Sequence, residues 1–167
     1  IYDNQEMQAN LWVEVAMILA SMFTALLLVR IVLSYLQSHR FAAENSQTSH
    51  YVVQALRFPM TVSIVLFALG TLTATVSIST SWIGLSHDIF RSLDIVVWGQ
   101  FFYRSTQFYL RRLSDLNQQG SIIKPQTLPL LQNASAVVII LFTIYLLFIT
   151  WDIDMTAWLA SAGIIGI

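Results

Sequence analysis

No charged side chain interrupts residues 15–29, and none interrupts residues 134–151. With their small and aromatic flanks, such runs reach the roughly 20 residues a helix needs to cross a hydrocarbon core of about 30 Å. A helix that is apolar on every side has no place on the surface of a soluble protein. Lipid is therefore the solvent that most of this chain suits. The composition agrees: 56% of residues are apolar and 10% charged, where soluble domains carry about 25% charged residues. A net charge of −1 with only eight Lys and Arg leaves no basic face for nucleic acid. Cysteine is absent, which removes disulfides, thiolate nucleophiles and cysteine-based zinc sites.

The pattern predicts an all-α membrane protein with four transmembrane helices and the first half of a fifth. The first span covers about 10–36, with Glu14 and Arg30 framing its charge-free run where long side chains reach the headgroups. The second covers about 58–79 and is expected to start at Pro59, whose missing N–H is harmless in a first turn. Thr61, Ser63, Thr71, Thr73, Thr75 and Ser77 give it hydroxyls able to bond back to the helix or across to a neighbour. The third covers about 86–116, with Ser86 as N-cap and Asp88 in the first turn. Beyond Arg104 this helix turns amphipathic, which suits a course along the headgroups.

Gly120, Lys124, Pro125 and Pro129 mark a loop and a restart. The fourth span, about 127–151, closes on Asp152, Ile153 and Asp154. Residues 155–167 read as a new helix capped by Asp154 or Thr156. At about 1.5 Å per residue it reaches only about 20 Å, short of a bilayer, so it is expected to continue past Ile167. The organisation expected is a set of membrane-embedded helices over 1–116, then a last such helix and the start of another over 117–167.

Charge assigns an orientation. The amino end carries Asp3, Glu6 and Glu14, the next connection Arg40 flanked by Arg30 and Arg57, the following one no basic residue, the next Arg104, Arg111, Arg112 and Lys124, and the last turn Asp152 and Asp154. Basic connections stay cytoplasmic, so the amino end is expected outside.

Asp88, Arg91 and Asp94, spaced three apart, share one helical face; they form either a gating or ion-coupling network or a salt-bridge ladder at the outer interface, as possible intramembrane ion pairs. Arg104, Arg111 and Arg112, interleaved with Phe108 and Tyr109, suit contact with anionic lipid headgroups. His39, His50 and His87 are scattered without a partner at ligand spacing, so neither a metal nor any other cofactor is expected. No nucleophile motif, phosphate loop or paired catalytic carboxylate appears, and the chain does not read as an enzyme. Trp12, Trp82, Trp151 and Trp158 fall near the outer interface as an aromatic belt would, whereas Trp98 is expected inside the bilayer.

Small residues dominate the last segment: Ala157, Ala160, Ser161, Ala162, Gly163 and Gly166. Such faces let helices approach closely, either within one subunit or in a ring of identical helices around an axis. The run Leu159 to Ile167, preceded by an acidic turn and a long apolar span, resembles the start of the pore helix of small-conductance mechanosensitive (MscS-like) channels. The resemblance covers roughly the last 40 residues; the first two spans resemble the extra amino-terminal helices of larger family members in number and orientation only. It implies a homo-oligomer of seven subunits in a bacterial inner membrane, a cytoplasmic β domain beyond Ile167, and release of ions and small solutes on hypoosmotic shock. It also implies that Ala160, Gly163 and Gly166 form the helix seam and that Ile167 falls at an apolar pore constriction. A secondary transporter, with Asp88, Arg91 and Asp94 coupling ions to substrate, and a membrane anchor of a sensor protein are the alternatives.

Overall fold

The computed structural model describes residues 2–39, 46–76, 80–116, 127–156 and 160. Four helices carry most of them: α1 (Tyr2–His39), α2 (Ser46–Thr75), α3 (Thr80–Leu116) and α4 (Leu128–Thr150), with no strand among the described residues. Three contain segments long and apolar enough to cross a membrane: Asn10–Leu36 in α1, Tyr51–Thr75 in α2 and Leu128–Thr150 in α4. These segments mark a membrane protein. α3 is nearly as long as α1, but Asp88, Arg91 and Asp94 dilute its apolar stretch, and it does not join the three on composition.

Two helices begin earlier than local propensity predicts. α2 starts at Ser46, and Pro59 lies inside it, fully buried. An interior proline leaves the carbonyl four residues back without its helical donor; two residues on, the Thr61 hydroxyl donates to the Arg57 carbonyl at 2.7 Å, the kind of local hydroxyl bonding that accompanies proline in membrane helices. Burial of the ring repays the break, so Pro59 does not open the helix. α3 starts at Thr80, and Ser86 is an interior residue whose hydroxyl donates back to the Ile83 carbonyl at 2.9 Å. Its hydroxyl is spent within a turn already formed, so it does not cap.

The chain packs as two units, Ile1–Asp94 and Ile95–Ile167. In the first, α1 packs along α2, and the amino-terminal part of α3 lies against α2 through Ser63, Gly70 and Thr73. Its buried apolar residues are few, Leu33, Val53 and Ala68. Phe23, Leu28 and Phe67 are exposed instead, as expected where the outer solvent is lipid. In the second unit the rest of α3 meets α4 where a Cβ on Gly99 would stand 2.5 Å from Thr143 Oγ1, so only glycine admits this approach. Pro129 occupies the first turn of α4, where its missing N–H costs no helical bond.

α4 ends in a left-handed residue, Asp152, with φ of 52°. The Ile153 N–H reaches the Phe148 carbonyl at 2.9 Å and the Asp152 N–H the Ile149 carbonyl at 3.1 Å. Together they form a Schellman motif, which satisfies carbonyls the helix end would otherwise leave open.

Candidate functional site

Five of the hydroxyls noted for the second span lie on α2, Ser77 being outside the described residues, and four of the five bond within their own helix: Thr61, Thr71, Thr73 and Thr75 donate to carbonyls three or four residues back. Ser63 instead donates to Asp94 Oδ1 of α3 at 2.5 Å, a short bond to a part-buried carboxylate. Hydrogen bonds to a charged acceptor are short and about twice as strong as neutral ones. Ser63 lies at the middle of the Tyr51–Thr75 segment, so this bond fixes α3 against α2 well inside the apolar zone.

A cavity of about 360 Å³ runs beside that bond, lined by Leu66, Phe67, Gly70 and Phe90 among others, with Arg91 and Asp94 at its wall. Its floor is wide because Gly70, Thr71 and Ala74 are small, and a Cβ on Gly70 would be in ordinary contact with Phe90 at 3.7 Å.

The charged ladder does not close. Asp88 lies 3.7 Å from His87 Nδ1, an ion pair when His87 is protonated, and Asp94 is taken by Ser63. Arg91 is exposed and forms no ion pair or hydrogen bond among the described residues. The spacing that puts Asp88, Arg91 and Asp94 on one face is real, yet each carboxylate finds another partner and the guanidinium stands apart.

In the second unit Arg104 and Arg111 are exposed and Arg112 is half-buried. The Gln107 side-chain amide donates to the Gln132 carbonyl at 2.9 Å, joining α3 to the second turn of α4. Trp98 stands edge-on to Phe101, ring centroids 5.7 Å apart, and tilted against Phe102 at 6.0 Å, an aromatic cluster along one helix. Sequence reasoning marked neither Gly99 nor the Ser63–Asp94 bond. A glycine within the aromatic run Trp98 to Tyr103 was the available signal for the first; the second joins residues far apart in sequence and has no local signature.

Asp154 accepts hydrogen bonds from both the hydroxyl and the backbone N–H of Thr156, and these hold its carboxyl below the usual value of 3.8. Thr156 and Ala160 are exposed; the Thr156 bonds put Asp154 in the position of a helix cap, while residues 157–159 and 161–167 of the expected helix lie outside the described residues. Gly163, Gly166 and Ile167 lie outside the described residues, and their place in a seam or constriction is not part of the geometry above. Among the described residues no three His, Cys, Asp or Glu side chains gather as metal ligands would. No protein-family model, curated protein or solved structure matches the chain.

Proposed function

We propose that the chain is the membrane part of a homo-oligomeric mechanosensitive channel of the MscS-like kind, in a bacterial inner membrane with its amino end outside. The observation that carries the proposal is the sequence Leu159 to Ile167: a small-residue helix start placed after a long apolar helix and an acidic, tightly capped turn. The three apolar helices with outward-facing side chains support it by giving the subunit a large lipid-facing perimeter. On this reading α3 is the remaining transmembrane helix and residues 155–167 open the pore-lining one, seven copies surrounding the pore.

Tension acts on such an assembly through area. A state of larger cross-section gains free energy equal to tension multiplied by its area change, and a sufficient difference shifts the population to it. The apolar constriction at Ile167 dewets when narrow and conducts ions and small solutes when the seam at Ala160, Gly163 and Gly166 slides open. Arg104, Arg111 and Arg112 hold anionic headgroups at the inner interface, each contributing about 1 kcal/mol, so lipid movement is transmitted to α3.

The test is patch recording from liposomes holding the protein expressed from its complete natural reading frame. Current steps above a reproducible suction threshold are expected. Silence up to membrane rupture, with protein verified in the patch, rejects the channel. The cavity holding Arg91 and Asp94 then favours the secondary transporter, in which those charges couple an ion to substrate.

A further inference from the structure

Arg91 is a charge left unmatched among the described residues. It is exposed on α3 in the unit Ile1–Asp94 and pairs with nothing among the described residues. Its depth follows from its neighbours: Asp94 is held by Ser63 at the middle of the Tyr51–Thr75 span, and Phe90 faces Gly70. Arg91 therefore lies opposite the stretch of α2 between Ser63 and Gly70. A guanidinium at such a depth is expensive unless it meets an opposite charge or water. Beside it Leu66, Phe67, Gly70, Ala74 and Phe90 line the apolar trough of about 360 Å³.

The three apolar spans contain one acidic side chain between them, Glu14. It too is exposed and without an ion-pair or hydrogen-bond partner among the described residues. Helices that cross a membrane in succession alternate in direction, so the start of α1 and the Thr75 end of α2 lie on the same side. Glu14 sits near that start, and Arg91 is displaced from midspan toward that same side, with a stem long enough to work over more than a helical turn.

The geometry points to a pairing between copies: α1 of a second copy of this chain lies in the trough between α2 and α3, with its Glu14 on Arg91. Each copy then gives one Glu14 and receives another, a head-to-tail contact of the kind that builds a ring when its rotation closes. The pairing rests on the homo-oligomer of the channel reading and names the side chains that would join its subunits. Charge and shape favour a helix over a phospholipid as occupant. Around Glu14, α1 exposes Leu11 and Met17 to an apolar trough, whereas a phosphodiester would have to leave the interface to reach Arg91. Asp88 and Asp94, one turn either side of Arg91 on α3, also oppose a mobile anionic headgroup more than a carboxylate fixed on a helix.

Charge reversal tests it, using the protein from its complete reading frame in nanodiscs, with the assembled fraction read by native mass spectrometry and helicity by circular dichroism. Glu14→Arg and Arg91→Glu should each lower the association constant by about tenfold, the upper range for a lost interhelical polar contact, and the double variant should regain it. A double variant no better than either single overturns the pairing, as do singles that assemble like the parent. Loss of a co-purifying phospholipid in Arg91→Glu but not in Glu14→Arg overturns it in favour of lipid. If a reversal loses helicity, Glu14→Gln, Arg91→Gln and their double are read instead: a shared pair makes the double loss no larger than a single one, and additive losses overturn it. Coupled assembly without tension-gated current removes the channel and leaves the pairing; tension-gated current from assemblies indifferent to every variant removes the pairing and leaves the channel.

Discussion

Asp152 takes the left-handed conformation that closes α4, with φ of 52°. An L side chain there costs about 1 kcal/mol, less for Asp than for most residues. Replacing it by glycine relieves that strain but frees the unfolded chain by a similar amount, about 0.4–1 kcal/mol. The two nearly cancel, so Asp152→Gly should leave thermal stability within about 0.5 kcal/mol of the parent, whereas β-branched Asp152→Val should lower it by about 1–2 kcal/mol. Two residues on, the Thr156 hydroxyl and then its backbone N–H depress the Asp154 carboxyl. A depressed acid adds stability above its unfolded value, and that stability is lost as pH falls through the lower folded one. Protection of the Thr156 amide against hydrogen exchange should therefore be flat at neutral pH and fall only below about pH 3.8. In Asp154→Asn the cap should survive without that fall, and in Asp154→Ala protection should be low throughout. The aspartate cap was legible because Asp and Thr before a periodic run have a local mechanism. Asp152 was legible as a turn residue, but its sign of φ depends on bonds back to Ile149 and Phe148 that no spacing rule specifies.

Among the helices, two contacts decide how neighbours sit. Ser63→Ala would leave the Asp94 carboxylate without its donor inside an apolar zone, and the α2–α3 contact should weaken by about 1 kcal/mol in a membrane-mimetic unfolding titration. Asp94→Asn keeps an acceptor for Ser63 and should weaken it less. In the other unit, Gly99→Ala places a methyl 2.5 Å from Thr143 Oγ1 and 2.9 Å from its Cγ2. Thr143 is branched and its hydroxyl is tied to the Ile139 carbonyl at 2.8 Å, so it cannot swing aside freely, and overpacking of this kind costs about 1–3 kcal/mol. Adding Thr143→Ala removes the two closest atoms and should restore most of the stability in the same titration. The hydropathy of α1, α2 and α4 was plain in the sequence because a bilayer imposes length and apolarity on each helix separately. Where α2 and α3 begin was not. Pro59 and Ser86 carry strong local signals for a helix start, and burial of the proline and an already formed turn at Ile83 outweigh them. Which residues touch across helices was invisible for the same reason that Ser63 finds Asp94: the partners share depth and face, not sequence.

For the assembled molecule, the consequence most open to measurement lies at the small-residue seam. Under the proposed channel, pore helices meet along Ala160, Gly163 and Gly166, and a leucine there adds about 1–3 kcal/mol of overpacking in whichever state is more closely packed. If the closed ring is the tighter one, Gly163→Leu or Gly166→Leu destabilises it, and less tension is needed to reach the wide state. The threshold suction in liposome patches should fall, and the shift should scale with the volume added, Gly163→Ala lying between parent and leucine. A rise in threshold would place the tighter packing in the open state and reverse the proposed direction of helix movement. Thresholds equal to the parent's, with assembly unchanged by native mass spectrometry, would remove these glycines from the seam. Arg111→Gln supplies the contrast. It is exposed on α3, so under the headgroup role it should raise the threshold by weakening the grip of lipid on α3 and leave assembly untouched.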